Sequence, residues 1–395
     1  MKSILEDIKV LDMTHVWFGP WSTLMLAEMG AEVIKVEPPW GGLGRIPQQG
    51  TLYGGASATF HHLNLNKKAI AIDLKNPEGL KIFKELVKKV DVVVQNFAPG
   101  TMERMGLGYD VLKEVNPKII YAALSGFGQT GPYSTWAAYA VIAEAMAGFA
   151  RNQGMNVDPE GPPLSMTGAF GDLAPGTMAA MCIIGAIRYR DKTGKGQMID
   201  VAQTDCMVAY QTGITNYLVT GKDELERWAE QEERRKQQQG RGGMMRISGI
   251  LEVSDGYIHL AGWRPKGMEK LKEVMGVEEL EQEAVKEHVK TMSRDEAVKF
   301  FADVGLPVAP VYWASEATKD PHVRARDMFV EVEHPKIGKY EAINFPVKMS
   351  ESPGKVTSYA PLLGEHNKQV VMEYLGYTEE QYDELKKNGV MAEGV

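Results

Sequence analysis

Short apolar runs alternate with helix-spaced segments along the first third of the chain. Lys9–Asp12 (KVLD) reads as a buried strand. After Gly19-Pro20, the apolar residues of Trp21–Met29 recur at helical spacing, and Gly30 stands where a left-handed residue closes a helix. Glu32–Glu37, Ala69–Leu74, Asp91–Gln95 and Lys118–Leu124 read as further strands. Pro77 opens a helix to Lys89, because its fixed φ suits a first helical turn. Apolar strands alternating with amphipathic helices predict an α/β fold with a parallel sheet covered on both faces.

The pattern changes after residue 221. Residues 222–239 (KDELERWAEQEERRKQQQ) read as a solvated helix or linker, and Gly240, Gly242 and Gly243 as a flexible break. Strand-like Gly249–Val253 and Tyr257–Ala261, with helices near Gly267–Met275 and Asp295–Asp303, predict a small α+β domain over 222–310. The large domain then comprises 1–221 and a returning segment, 311–395, that ends in an amphipathic helix at Glu379–Lys387.

Composition narrows the classes. The formal net charge is −8, whereas a nucleic-acid-binding domain is usually basic. Cys182 and Cys206 form neither a metal-type spacing nor a disulfide framework, and Cys182, inside an apolar run, reads as a buried thiol. The N-terminus lacks a signal-type apolar core, and the stretch Ala174–Ile187 is too short to span a bilayer, so the expected location is cytoplasmic.

Gly126-Phe-Gly-Gln-Thr-Gly131 fits the dinucleotide pattern, but it follows a late strand and no helix start comes after it. No NAD and no metal are expected. Glu37, at the end of the second strand, is either a ribose-binding acid or a solvated carboxylate. Asp172 precedes Pro175 and an apolar helix that runs to about Arg188. An aspartate there is a common N-cap. The same place suits a nucleophile, because a helix N-terminus favours the carboxylate and a desolvated carboxylate can attack an activated acyl carbon. Glycines at 168, 171 and 176 leave room for a substrate.

An ordered set of strings then marks a resemblance. These are Lys9–Pro20 (KVLDMTHVWFGP) with Gly30–Pro39 (GAEVIKVEPP), Asn66–Lys75 (NKKAIAIDLK), Asn96–Tyr109 (NFAPGTMERMGLGY), Asn116–Tyr133 (NPKIIYAALSGFGQTGPY), Gly171-Asp172, Thr193–Ala202 (TGKGQMIDVA) and Leu363–His366 (LGEH). Together they resemble the class III acyl-CoA transferases, the formyl-CoA transferase and carnitine CoA-transferase-like family. The resemblance implies a Rossmann-like large domain, an inserted small domain, and two interlocked chains, either a homodimer or a heteromer with a related chain. It implies that Asp172 carries the acyl group as an anhydride and CoA as a thioester, with acyl-CoA and a small carboxylic acid as substrates. It further implies CoA contacts at Trp17, Phe18, Ile72, Asp73, Leu74, Lys75, Asn96, Phe97, Ala98 and Arg104, and a lid at Gly240, Gly242 and Gly243 that excludes water. Lys75 and Arg104 are the expected phosphate partners.

The chain departs from this pattern in places. Trp17 stands where some relatives carry glutamine, which favours an apolar or aromatic acid such as an aryl-succinate, with succinyl-CoA as donor. Pro38 and Pro39 replace a basic residue, so Arg45 or Lys67 is expected to supply that phosphate contact. Ala140, after Tyr139, replaces an acid and leaves proton handling there in doubt. An α-methylacyl-CoA racemase would need an acid and a base across the α-carbon, and Tyr139-Ala140 stands where racemising relatives place His-Asp. A non-catalytic subunit of a hetero-oligomeric transferase would not need Asp172. A CoA ligase would need an ATP-binding loop that the chain lacks.

Overall fold

The computed structural model describes residues 3–46, 52–166, 168–239, 247–262 and 264–394. Packing divides the chain into two compact units, Met1–Thr215 with Asp327–Val395, and Asn216–Arg326.

The larger unit is built on a six-stranded sheet in the order β3-β2-β1-β4-β5-β6. Its strands are β1 (Lys9–Asp12), β2 (Glu32–Glu37), β3 (Lys68–Ala71), β4 (Val92–Gln95), β5 (Ile120–Ser125) and β6 (Gln197–Ala202). Every pairing is parallel. Successive side chains of a strand point to opposite faces. Val10, Val33, Val92, Val94 and Ile120 therefore join one core with the helices Phe18–Glu28 and Phe170–Thr193. Leu11, Ile34, Val93 and Tyr121 join the other with helices Pro77–Val87, Asn367–Leu375 and Glu379–Lys387. Strand order reverses between β1 and β4, and in such sheets ligands bind outside the carboxyl ends of the strands at that reversal.

The helix expected from Pro175 runs instead over Phe170–Thr193, 24 residues. It is long and apolar enough to cross a membrane by length and composition. Here it is a core helix that buries Ala179, Ala180, Ile183, Ala186 and Ile187. Its other side carries Met181 and Cys182, so Cys182 is exposed and Cys206 is the buried thiol.

The smaller unit holds an antiparallel sheet, β7 (Ile247–Val253), β8 (Gly256–Gly262) and β9 (Val308–Pro310). Helices Pro265–Met275, Gln282–Val289 and Arg294–Asp303 pack on it. The segment 311–326, read from sequence as part of the C-terminal return, packs in this unit. Val311 N–H donates to Tyr257 O at 2.9 Å, and Arg294 pairs with Glu316 at 2.6 Å. The return proper begins with the hairpin β10 (Phe329–His334) and β11 (Gly338–Ile343).

Candidate active site

The turn after β1 is fixed from beneath. Asp12 is wholly buried, and its Oδ1 accepts the Thr14 amide at 2.8 Å and the Thr14 hydroxyl. Its Oδ2 accepts from Thr23 Oγ1 at 2.7 Å and Lys67 Nζ at 3.0 Å. Lys67 also donates to Pro20 O, Thr23 Oγ1 and Asn64 Oδ1. Burial alone would raise Asp12, but the ammonium groups of Lys67 and Lys35 hold its carboxyl well below the usual range. Lys35 Nζ donates to Thr14 O at 2.8 Å. Asn96, at the end of β4, accepts the His15 amide and donates to the His15 carbonyl, both at 2.9 Å. So pinned, the turn holds Val16 at φ 68°, a left-handed conformation costly for a β-branched residue. Trp17 follows directly.

Asp172 lies in the first turn of the long helix. It is not the N-cap, because the helix starts earlier, after Ala169. Instead its Oδ1 accepts from Gln203 Nε2 at 2.6 Å. The same nitrogen donates to Gly171 O at 3.0 Å. That carbonyl is available because Pro175, four residues on, has no N–H to bond it. Gly171 N–H donates to Glu144 Oε1 at 2.8 Å, and the amides of Asp172 and Leu173 both donate to Ala169 O. Burial pushes the Asp172 carboxyl up to about 7; the Gln203 bond draws it down and the nearby Glu144 carboxylate adds to the rise. Close approach shapes the surroundings. A Cβ on Gly171 would lie 2.7 Å from Ala140 O, and one on Gly176 would lie 2.7 Å from Phe18 O.

A cleft of about 400 Å³ opens at this helix end, lined by Val16, Trp17, Gly44, Ile46, Ser57, Ala58, Thr59, Gly168 and Ala169. A larger cleft, about 510 Å³, lies near the other end of the helix, where Arg190 and Gly194 join Lys88, Lys89, Asp91 and Lys118 in its lining. At 1.5 Å per residue, Arg190 is about 27 Å along the helix from Asp172. Arg190 is paired with Asp91 at 2.6 Å, and that cleft lies apart from Asp172.

The positions expected to meet CoA fall at the carboxyl ends of strands. Trp17 and Phe18 follow β1, Asn96–Ala98 follow β4 beside it, and Ile72–Lys75 follow β3 beyond β2. Phe18 and Ile72 bury their side chains, and the Ile72 amide donates to Glu37 O at 2.8 Å. Asn96 is occupied in holding His15. Lys75 is exposed beside the Trp40 ring, 6.0 Å from its centroid, and Arg104 is exposed with one bond to Thr101 Oγ1. Asp73 Oδ1 accepts the Lys75 amide, and Leu74 and Phe97 pack on the second core. Tyr139 is 70% exposed at the start of helix Ala140–Met146. Gly240, Gly242 and Gly243 lie outside the described residues.

Several expectations are corrected. Lys67 is buried against Asp12 and cannot reach a ligand phosphate. Arg45 is spent on Glu37, 2.7 Å away, and on Pro361 O, which also removes Glu37 as a ribose partner. The acid missing at Ala140 reappears one turn later as Glu144, on the same helix face. Glu144 and Gln203 were missed. The i, i+4 spacing from Ala140 signals the first, and the place of Gln203 at the carboxyl end of β6 signals the second.

The sequence model of CoA-transferase family III matches residues 5–367. The formyl-CoA:oxalate CoA-transferase of Streptomyces coelicolor is 32% identical, covering 98% of this chain and 99% of that protein. The human succinyl-CoA:glutarate CoA-transferase is also 32% identical, covering 98% of this chain and 90% of its own. A crystal structure of a CAIB/BAIF family protein from Brucella suis matches with a TM-score of 0.80 at 29% identity, covering 95% of this chain and 100% of that one.

Proposed function

The chain belongs to CoA-transferase family III and is an enzyme of that class acting on acyl-CoA, and from that premise we propose that it exchanges CoA between carboxylic acids through a covalent intermediate on Asp172. The observation that carries this reading is the state of that carboxylate. Burial raises it to about 7, Gln203 holds Oδ1, and among the described residues Oδ2 accepts no hydrogen bond.

In the first step Oδ2 attacks the thioester carbonyl of the donor. An O–C bond forms, the C–S bond breaks, and CoA leaves as thiolate. The product is an acyl-aspartyl anhydride. The thiolate then attacks Cγ of Asp172, the Cγ–Oδ2 bond breaks, and the first acid leaves as its carboxylate. An aspartyl-CoA thioester remains. The acceptor carboxylate attacks Cγ and expels the thiolate, which takes the acceptor acyl group from the new anhydride and restores Asp172. Activated acyl groups persist throughout, so water must be kept out.

The donor we assign is succinyl-CoA and the acceptor an organic acid with an apolar or aromatic part, an aryl-succinate being the example. The Trp17 indole in the cleft supports the apolar part. Relatives named for oxalate and glutarate support a short dicarboxylate frame. Exposed Lys75 and Arg104 serve the CoA phosphates, beside the chain segments 72–75 and 96–98. The reading includes association of two chains.

The test is label exchange from succinyl-CoA and formyl-CoA into oxalate, glutarate and an aryl-succinate, with hydroxylamine or borohydride trapping and mass spectrometry. The expected result is modification at Asp172, and loss of exchange in Asp172→Ala. Modification elsewhere, or turnover surviving Asp172→Ala, sinks the mechanism. Deuterium entering the α-carbon without acyl exchange would point to a racemase.

A further inference from the structure

Exchange through Asp172 requires that its own Cγ be attacked, once by the CoA thiolate and once by the acceptor carboxylate. In each attack negative charge develops on the oxygen that stays attached, and a donor aimed at that oxygen stabilises the transition state. The backbone amides of the first helical turn are the obvious candidates, since helix N-termini serve anions well. Here they are taken. Gly171 N–H is held by Glu144, and the amides of Asp172 and Leu173 converge on Ala169 O. The group that does face the carboxylate is the Gln203 amide, 2.6 Å from Oδ1.

The orientation of that amide follows from its second contact. Gly171 O can only accept, so the atom 3.0 Å from it must be the NH2 nitrogen. The same nitrogen is the one at Oδ1. Pro175 makes this possible, because it leaves Gly171 O without its helical partner. Gln203 is itself buried, 4% exposed, so its bonds face little competition from water. One N–H fixes the amide to the backbone and the other points at the reacting group.

We propose that Gln203 is a catalytic residue, the side-chain oxyanion donor to Oδ1 of Asp172 in the two steps that form and consume the aspartyl-CoA thioester. This rests on the covalent reading above. Oδ1 stays attached to Cγ and bonded to Gln203 while Oδ2 forms and breaks the bonds. The assignment divides the chemistry. Steps in which the substrate acyl carbon is attacked place their charge on the substrate oxygen and draw nothing from Gln203.

The experiment compares wild type, Asp172→Ala and Gln203→Met, the last nearly conserving volume. The readout is exchange with the most active donor–acceptor pair among succinyl-CoA or formyl-CoA with oxalate, glutarate or an aryl-succinate. Gln203→Met is expected to lower kcat about 100-fold, the usual effect of losing one oxyanion donor, with KM for acyl-CoA within about threefold of wild type. Because the Gln203 bond also lowers the Asp172 pKa, the acid limb of its kcat/KM profile should move to higher pH. Loss of packing alone would leave that limb in place. If Gln203→Met does not fold, Gln203→Glu carries the test. It keeps the shape and loses the donor on ionising, so its kcat should fall at least about tenfold as pH rises. A kcat within threefold of wild type, or a change confined to KM, overturns the role of Gln203 and leaves the covalent reading intact. Exchange surviving in Asp172→Ala, or absent from wild type with every pair, overturns both.

Discussion

The role proposed for Asp172 places opposing demands on it. A nucleophile must be ionised, yet burial favours the protonated form and sets the carboxyl near 7. For the free enzyme, kcat/KM should therefore rise about tenfold per pH unit up to pH 7 and level off above it. Glu144 adds to the rise by like-charge repulsion, and Glu144→Gln keeps an acceptor for Gly171 N–H while removing the charge. We expect its acid limb to move down by about half to one unit, giving about two- to sixfold higher kcat/KM at pH 6. A limb that stays in place would show that Glu144 acts only as a clamp. Asp172 and Trp17 stand out in the sequence because they sit in ordered strings. Gln203 and Glu144 do not, because a helical spacing and a strand end are common signals and the contacts that single these residues out span 31 and 27 residues of chain.

The elements tell a parallel story. β1 and β2 match their sequence readings to the residue, because short runs centred on Val, Leu and Ile in a covered parallel sheet leave little ambiguity. β6 was not read as a strand, since it lies at the sheet edge with alternate residues exposed and looks polar. The hairpin of β10 and β11 escaped for the same reason. The long helix starts before Pro175, a start the sequence hid because its N-cap, Ala169, carries no capping side chain. The loop after β1 shows a charge pair used as a fastening. Lys67→Met leaves Asp12 buried without its ammonium and should destabilise the enzyme by about 3–5 kcal/mol in urea melts. The corresponding CoA ligand role would instead appear as a raised KM with unchanged melts.

At the scale of the molecule, the C-terminal return completes the large unit. Asp73 N–H donates to Val390 O at 2.9 Å, Ala392 N–H to Ala71 O at 3.2 Å, and Asn367 Oδ1 accepts the Ala71 amide at 2.8 Å. The last residues thus extend the sheet beside the segment 72–75 that is proposed to meet CoA. Truncation after Lys387 removes buried Val390 and Met391. It should cost about 3–6 kcal/mol of stability, measured by denaturant midpoint, and raise KM for acyl-CoA. A KM left unchanged in the folded truncate would separate the edge from the ligand. Chain order alone hid this link, because the partners lie some three hundred residues apart in sequence.

The grip of Gln203 on one oxygen makes the two oxygens of Asp172 unequal in history as well as in geometry. In the proposed exchange, Oδ2 departs with each donor acid and is replaced from the acceptor, while Oδ1 is never surrendered. The side chain thereby keeps an isotopic memory of a single turnover. With an acceptor enriched in oxygen-18, Asp172 carries one heavy atom however long the reaction runs. A side chain free to turn over between cycles would expose each oxygen in turn, and the second heavy atom would accumulate.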